Sequence, residues 1–342
     1  MTLSKTLHVI LCAGSGTRLF PMSNKNTPKQ FLKLENKLSL LQNTVMRLSQ
    51  YSELVITTMQ KYIDILEKQL TELNLPIKYT IVIVPESYNT AHAICAVSLL
   101  FKNRKIIAIP SDKIFNQEEF GKLMDSADEV LEKNLDKILF FGIRPTYAAT
   151  GFGYLEYRDS KIERFIEKPT LEKATEYLKS STYYWNGGMI GFVSDVMNTK
   201  YQTHRSDIIK ICEDATKNIL TTENKDVKLI KLGETDKKVE DISIDYAINE
   251  KLKSTEMSFI TFDGKWSDVG SWNSVYDILD KNSDGINKSA LYKNYGSKNC
   301  LIMTKKPIYL NGVSDLVVIE TDECFLISHL DKSQDIKKLL SV

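Results

Sequence analysis

Val9-Ile10-Leu11-Cys12-Ala13-Gly14-Ser15-Gly16-Thr17-Arg18-Leu19-Phe20-Pro21 carries an apolar strand straight into a glycine-rich turn, and Lys29 follows shortly after. Gly14 and Gly16 have no Cβ to hold the backbone away from an anion. Successive N–H groups can therefore point at phosphate oxygens, while Arg18 and Lys29 add mobile positive charge. Leu11 and the run from Ala13 through Gly14, Ser15, Gly16 and Thr17 to Arg18 are thus candidate nucleotide contacts. The turn lacks the third glycine of a dinucleotide fingerprint, and no Gly-Lys-Ser/Thr follows as a P-loop requires. A plain tight turn between a buried strand and a helix is the alternative reading.

The 342 residues, 42% hydrophobic and 26% charged, are ordinary for a folded protein with one large core or two unequal ones. A formal net charge of +1 gives no global field to draw in nucleic acid or an anionic membrane, so anion recognition has to be local. Leu7 to Ala13 is too short to span a bilayer and reads as the first core strand. The five cysteines, Cys12, Cys95, Cys212, Cys300 and Cys324, are scattered and show no C-x-x-C spacing. They suggest neither a disulfide framework nor a thiolate zinc site, and a cytoplasmic location is expected.

Apolar β-branched runs at Leu54–Thr58, Thr80–Val84, Ile106–Ile109 and Ile138–Ile143 alternate with helical stretches at Tyr62–Leu73, Thr90–Phe101 and Glu118–Asn134. That alternation predicts an α/β fold: a Rossmann-like, mostly parallel sheet flanked by helices, with ligands at the carboxyl ends of its strands. From Gly151 to Asp268 strands are expected at Phe152–Tyr157, Lys161–Glu167, Met189–Val193 and Met257–Phe262, with helices at Leu171–Lys179 and Ser206–Lys217, as an acceptor-binding extension of the same sheet. After Asn282 short strands at Cys300–Thr304, Ile308–Leu310, Asp315–Glu320 and Cys324–Ser328, then a helical tail from Lys332 to Leu340, suggest a small β-rich unit that caps the acceptor part or forms a dimer surface. The expected division is a catalytic part over 1–281, binding nucleotide in about 1–145 and sugar phosphate in about 146–281, and a C-terminal part over 282–342.

Ile109-Pro110-Ser111-Asp112 ends a strand with a carboxylate, and Trp266-Ser267-Asp268-Val269-Gly270-Ser271-Trp272 presents another. Such aspartates often serve as caps or turn formers. Beside a phosphate loop, however, two of them could hold a divalent ion, because Mg²⁺ is usually bound by one or two carboxylates plus substrate phosphates. Arg164-Phe165-Ile166-Glu167-Lys168-Pro169 offers either a solvated ion pair or a phosphate-binding Lys168 with a hydroxyl-binding Glu167. Tyr183-Tyr184-Trp185-Asn186-Gly187-Gly188 fits either a core strand entrance or a sugar platform with Asn186 bonding a hydroxyl. Ser243-Ile244-Asp245 reads first as a cap for a helix reaching about Lys253, with Asp245 a candidate for the site.

Together these segments resemble the sugar-nucleotide pyrophosphorylases, and most closely the mannose-1-phosphate guanylyltransferases. The resemblance spans nearly the whole chain. It rests on the Ala13–Pro21 loop, Pro28-Lys29-Gln30-Phe31, Asn89-Thr90-Ala91, Pro110–Asp112, Thr150–Tyr154, Phe165–Pro169, Trp185–Gly188, Ser243–Ala247 and Trp266–Trp272, in the family's order. It implies the reaction of GTP with mannose 1-phosphate to give GDP-mannose and pyrophosphate, with Mg²⁺ held by Asp112 and Asp268. It further implies that Arg18 and Lys29 bind the triphosphate, that Asn89, Thr90 and Ser111 lie on the nucleotide side, and that Gly153, Glu167, Lys168, Asn186 and Asp245 hold the sugar phosphate. The residues expected to carry catalysis are Arg18, Lys29, Asp112, Lys168 and Asp268.

Departures fall on the nucleotide side: Ala13 for the first glycine, Phe20 for Trp, Tyr88 for Arg, His92 for Pro and Lys113 for His. Tyr88 in particular could weaken nucleotide binding or change base preference. The isomerase domain fused to some relatives is expected to be absent from a chain of this length. A sugar 1-phosphate is mostly dianionic at neutral pH, its second pKa being about 6, so no catalytic histidine is required. Alternatives are a transferase for another sugar 1-phosphate such as a heptose, or for another nucleotide, and a non-catalytic sugar-nucleotide-binding regulator. No partner is expected in nucleic acid or membrane; a homodimer is possible.

Overall fold

β1 (Leu7–Leu11) is buried along both faces, and its side chains alternate between two separate cores. Ile10 faces one core, Leu7 and Val9 the other, and β2 (Glu53–Met59) repeats the pattern with Leu54 and Ile56 against Val55. A strand that is apolar on both faces needs a helical layer on each. The first layer is α1 (Leu40–Arg47), α2 (Ile63–Leu73), α4 (Gln117–Lys133) and α5 (Leu171–Lys179). The second is α3 (Thr90–Leu100), α6 (Ser194–His204) and α7 (Ser206–Lys217). The structure is a computed structural model that describes residues 5–339 except 15, 52, 86–87, 225 and 235–238.

The remaining strands of the eleven-stranded sheet are β3 (Lys78–Val84), β4 (Lys105–Pro110), β6 (Ile138–Ile143), β7 (Tyr154–Arg158), β8 (Lys161–Ile166), β9 (Tyr183–Val193), β10 (Leu220–Asn224), β11 (Val227–Lys231) and β12 (Met257–Phe262). Their order is β10-β11-β3-β2-β1-β4-β9-β6-β12, with the β7–β8 hairpin joined to β9. β11, β3, β2, β1 and β4 are all parallel, whereas β8, β9 and β10 run against the rest. Val9 lies opposite Val55 of β2 on one side and Ala108 of β4 on the other. Crossovers therefore leave β1 in opposite directions, and a crevice opens at its carboxyl end. The acceptor half extends the same sheet as expected, but β11 also returns to complete its far edge beside β3.

A two-stranded ribbon of β5 (Ile114–Phe115) and β13 (Trp266–Ser267) ties the segment after β4 to the one carrying Asp268. Beyond α9 (Trp272–Ile278), β14 (Tyr292–Tyr295) pairs with β16 (Ile308–Asn311), and β17 (Leu316–Glu320) lies between β15 (Leu301–Met303) and β18 (Phe325–His329). These strands have a small core of their own around Ile302 and Leu310 and also pack on the acceptor part at Val269, Trp272, Val275 and Ile278. Leu301, Val317, Ile319 and Leu326 share a core with Leu19, Leu32, Leu34 and Trp272, so they buttress the glycine turn. The tail is a 3-10 segment, Leu330–Asp335, then α10 (Ile336–Leu339), and Leu330 and Ile336 join that core.

His8 on β1 is fully buried, stacks on Tyr51 at 3.9 Å, and has no hydrogen-bond partner on either ring nitrogen among the described residues. Burial pushes its pKa from 6.5 down to about 4. A depressed histidine stabilises the fold above its unfolded value and withdraws that contribution as pH falls toward the folded one. Stability should therefore drop by about 3 kcal/mol between pH 6.5 and 4 through this residue alone. Denaturant titrations of wild type and His8→Phe over that range test it: wild type should lose about 3 kcal/mol more than the variant between pH 6.5 and 4, and parallel curves would refute the assignment.

Candidate active site

A cleft of about 780 Å³ opens at the carboxyl ends of β1 and β4. Leu11, Ala13 and Gly14 line it from the glycine turn, Asn89 and Thr90 from the start of α3, Ser111 and Asp112 from the end of β4, and Asn186 and Asp245 from the far side. Gly16 sits at φ +40°, and a Cβ there would lie 2.8 Å from the backbone nitrogen of Lys29. The 3-10 turn Lys29–Phe31 is pressed against the loop: the Lys29 N–H donates to Gly16 O (3.2 Å), and Gln30 Nε2 donates to Gly14 O (2.8 Å). Ser15 lies outside the described residues, and Thr17 opens the 3-10 turn Thr17–Leu19. Arg18 is exposed and is not among the residues lining the cleft, and it has no hydrogen bond or ion pair to the described residues.

Lys29 is the hub. Its ammonium, 7% exposed as a residue, lies 2.9 Å from Asp112 Oδ2 and donates to the backbone oxygen of Asp268 at 2.7 Å. Lys113 Nζ stands 3.9 Å from the other oxygen of Asp112. Burial opposes both charges with different results. It wins at Lys29, whose pKa falls below the usual lysine range. At Asp112 it loses to Lys113 and Lys29, which hold the carboxyl well below the usual carboxylate range. The Asp268 carboxylate accepts the N–H of Gly270 (3.2 Å), and the next residue, Val269, takes φ +49°. A β-branched residue in the left-handed region is strained, and such strain persists where its surroundings fix it.

The donor set is all oxygen, and the Lys29 ammonium already stands as a cation between the two aspartates. No group of three or more metal-ligating side chains occurs among the described residues. Two carboxylates fit Mg²⁺ when substrate phosphates supply further ligands.

At the other end Asp245 Oδ1 accepts hydrogen bonds from Asn186 Nδ2 (3.1 Å) and Asn249 Nδ2 (2.9 Å). Glu167 is ion-paired with Lys168, its own side chain nearly buried and the lysine half-exposed. A Cβ on Gly153 would meet Glu167 Oε2 at 2.5 Å, so only glycine lets that carboxylate lie where it does. The Glu167 N–H donates to Glu250 Oε1 (3.0 Å), and Lys168, at φ +46°, holds its ammonium 5.3 Å from the ring centre of Tyr246. Burial raises the pKa of both Asp245 and Glu167, and neighbouring carboxylates add to it. This end is thus an array of acceptors and amides with one cation beside it.

Asp245 yields a pH prediction. An acid whose folded pKa is raised contributes most below its unfolded value of 3.8 and loses that contribution as pH rises through the folded one. Asp245→Asn, whose amide oxygen can accept both Asn186 and Asn249, should melt like wild type near pH 4 and higher than wild type at pH 7. Scanning fluorimetry at both pH values checks it; a lower Tm at pH 7 would contradict it.

One open alternative is decided and two expectations, the length of the helix after Ser243 and its cap, are corrected. Tyr183, Tyr184 and Trp185 are buried and pack on Tyr177, Phe259 and Phe152, so they form core, not a sugar platform. The helix after Ser243 lasts only for α8 (Ile244–Ala247) before a 3-10 turn at Asn249–Lys251. Ser243 does not cap it with its side chain; the N–H of Ile244 donates instead to Thr90 Oγ1 (3.0 Å). The departures Tyr88 and His92 pack together, with ring centres 4.9 Å apart and His92 fully buried behind the tyrosine. Tyr88 lines the cleft as a wall and brings no charge.

Residues unforeseen in the sequence also line the cleft: Asn249, and Asp241, whose Oδ1 accepts Asn89 Nδ2 at 2.7 Å. Asn249 lies one helical turn beyond Asp245, a spacing that could have suggested it. Asp241 has no local signal.

Residues 7–285 match the nucleotidyl transferase family, and 294–341 match the MannoseP isomerase/GMP-like beta-helix domain. A mannose-1-phosphate guanylyltransferase of Escherichia coli is 32% identical over 98% of this chain and 75% of its own length. The xanthan biosynthesis protein XanB of Xanthomonas campestris pv. campestris is 31% identical over 99% of this chain and 73% of its own. The crystal structure of a mannose-1-phosphate geranyltransferase from Thermus thermophilus has the same fold, with a TM-score of 0.81 at 21% identity over 99% of this chain and all of that one. The chain belongs to the nucleotidyl transferase family, within the group that holds the mannose-1-phosphate guanylyltransferases.

Proposed function

We propose that this enzyme makes GDP-mannose and pyrophosphate from GTP and mannose 1-phosphate, by in-line attack of the sugar phosphate on the α-phosphate of the nucleotide. The observation that carries this reading is one cleft with two chemically distinct ends: Ala13, Gly14 and Asp112, the last paired with Lys29, which also holds the Asp268 backbone, and the carboxylate–amide group of Asn186, Asp245 and Asn249. The names carried by relatives over nearly the full chain favour GTP and mannose 1-phosphate as the substrates.

Backbone N–H groups of the glycine turn, with Arg18 and Lys29, would hold the triphosphate, and Asn89, Thr90, Tyr88 and Asp241, which line the cleft, would border the base and ribose. Asp112 and Asp268 would hold Mg²⁺, which supplies charge neutralisation to the phosphates when bound. Glu167, Asn186 and Asp245 would accept and donate hydrogen bonds to sugar hydroxyls, while Lys168 bonds the attacking phosphate as a point charge. The attacking oxygen is already anionic, so the chain's task is to bring two anions together and to relieve charge on the departing pyrophosphate. A cytoplasmic location goes with this activity and with five free cysteines, and among the described residues no helix is long and apolar enough to cross a membrane.

Pyrophosphate release with GTP, Mg²⁺ and mannose 1-phosphate, run beside ATP, UTP, dTTP and glucose 1-phosphate, tests the reading. Release confined to the first pair is expected. Release with another pair would keep the mechanism and replace the substrate, and silence throughout would reject the function.

A further inference from the structure

Arg47, the last residue of α1, is 5% exposed and has no ion pair among the described residues. Its Nη2 donates to the backbone oxygen of Lys113 (2.9 Å) and to Thr44 Oγ1 (2.9 Å). The Thr44 hydroxyl donates to Leu40 O (2.9 Å) and approaches the backbone oxygen of Ser111 at 3.4 Å. The two carbonyls reached in this way flank Asp112. From the opposite side, Ser111 is tied to the end of β1, its N–H and its hydroxyl both donating to Leu11 O (3.1 and 2.8 Å). The guanidinium lies against Phe115 and Phe120, 5.7 and 5.6 Å from their ring centres, and its Nε is buried without a partner.

Burying a charge is costly, and a hydrophobic residue of similar size often serves stability as well or better. Burial pushes this guanidinium down to about 10, still well above neutral pH. Phe115 and Phe120 face the guanidinium at cation–π distance, a contact that the packing of an apolar side chain of similar size could largely replace. What only a donor can supply is the grip on the Lys113 carbonyl.

We propose that Arg47, assisted by Thr44, is a positioning residue that holds the Ser111–Lys113 backbone so that the Asp112 carboxylate stays aimed at the metal position when Lys29 gives it up. The proposal rests on the reading of Asp112 as a metal ligand. A charge-assisted hydrogen bond contributes roughly 10- to 100-fold in equilibrium terms, which sets the size of the expected effects.

The test uses full-length wild type, Arg47→Met, Arg47→Lys and Thr44→Val. Mn²⁺ affinity is measured by paramagnetic resonance on protein saturated with a non-hydrolysable GTP analogue, and amide exchange of residues 111–113 on metal-free protein. Arg47→Met should remain folded, bind Mn²⁺ at least about 10-fold more weakly, exchange these amides about 10-fold faster, and lose kcat with little change in the KM for mannose 1-phosphate. Thr44→Val should shift the same quantities less, and Arg47→Lys should fall between. If Arg47→Met does not fold, Arg47→Lys and Thr44→Val decide by the same two readouts. Unchanged Mn²⁺ affinity and exchange in the folded variants would overturn the positioning role while leaving the metal reading intact; no Mn²⁺ binding by wild type would overturn both.

Discussion

Asp112→Asn is expected to cut turnover with GTP, Mg²⁺ and mannose 1-phosphate by about 100-fold or more, while the fold survives with Tm lowered by about 3 °C, the loss of one partner of a partly buried pair. The substitution keeps shape and removes charge. An asparagine oxygen can still accept the Lys29 ammonium at the 2.9 Å contact, and Ser111 stays tied to Leu11 by backbone and hydroxyl. What disappears is the anion that Lys29 and Lys113 hold well below the carboxylate range. Asp268→Asn should act in the same direction, because its link to Lys29 runs through the backbone and survives the change. Raising Mg²⁺ should recover part of the lost rate in each variant. Steady-state assays across a Mg²⁺ series check this, and near-normal turnover in both variants would sink the metal assignment.

The elements that could be read from the sequence are those whose burial is written in their own periodicity. β1 and β2 alternate between two cores, and α7, with Ile208, Ile209, Ile211 and Cys212 on one face, shows itself as a helix. α6 was not legible because it buries little beyond Met197 and Tyr201 and carries no apolar stripe. β10 is exposed along its whole length and is a strand only because β11 accepts it at the sheet edge. Site residues at strand ends were legible for a related reason: the chemistry sits where an apolar run stops, as at Asp112 and Glu167. The unforeseen ones, Asp241 and Arg47, act across long chain separations, Asp241 on Asn89 and Arg47 on Lys113, and no local pattern encodes such contacts. The Tyr183–Trp185 run marks the opposite limit, since composition cannot tell a core aromatic from a sugar platform; only its neighbours can.

The contacts of Lys29 with Asp112 and the Asp268 backbone explain why Lys29→Met should do more damage than any other single change at the site. The ammonium it removes serves two purposes. In the free enzyme it neutralises Asp112 and fastens the Asp268 backbone, joining the end of β4 to the segment after β13. Removing one partner of a buried pair costs about 3–5 kcal/mol, but the Asp112 side chain is 30% exposed and keeps Lys113 at 3.9 Å. A loss of about 2 kcal/mol is the better expectation, a fall of roughly 3 °C in Tm for a chain of this length. On the proposed function the same ammonium faces the triphosphate in the loaded enzyme, so its removal should also lower kcat by about 100- to 1000-fold. The pairing with Asp112→Asn separates the two purposes. If Lys29 works mainly through Asp112, the double variant should lose little more rate than either single one. If it also bears on the leaving pyrophosphate, the losses should approach additivity in ln kcat while the stability loss of Lys29→Met shrinks, because no charge remains at 112 to be stranded. Wild-type kcat in Lys29→Met would remove Lys29 from the reaction altogether and leave it only the role of a buried tie.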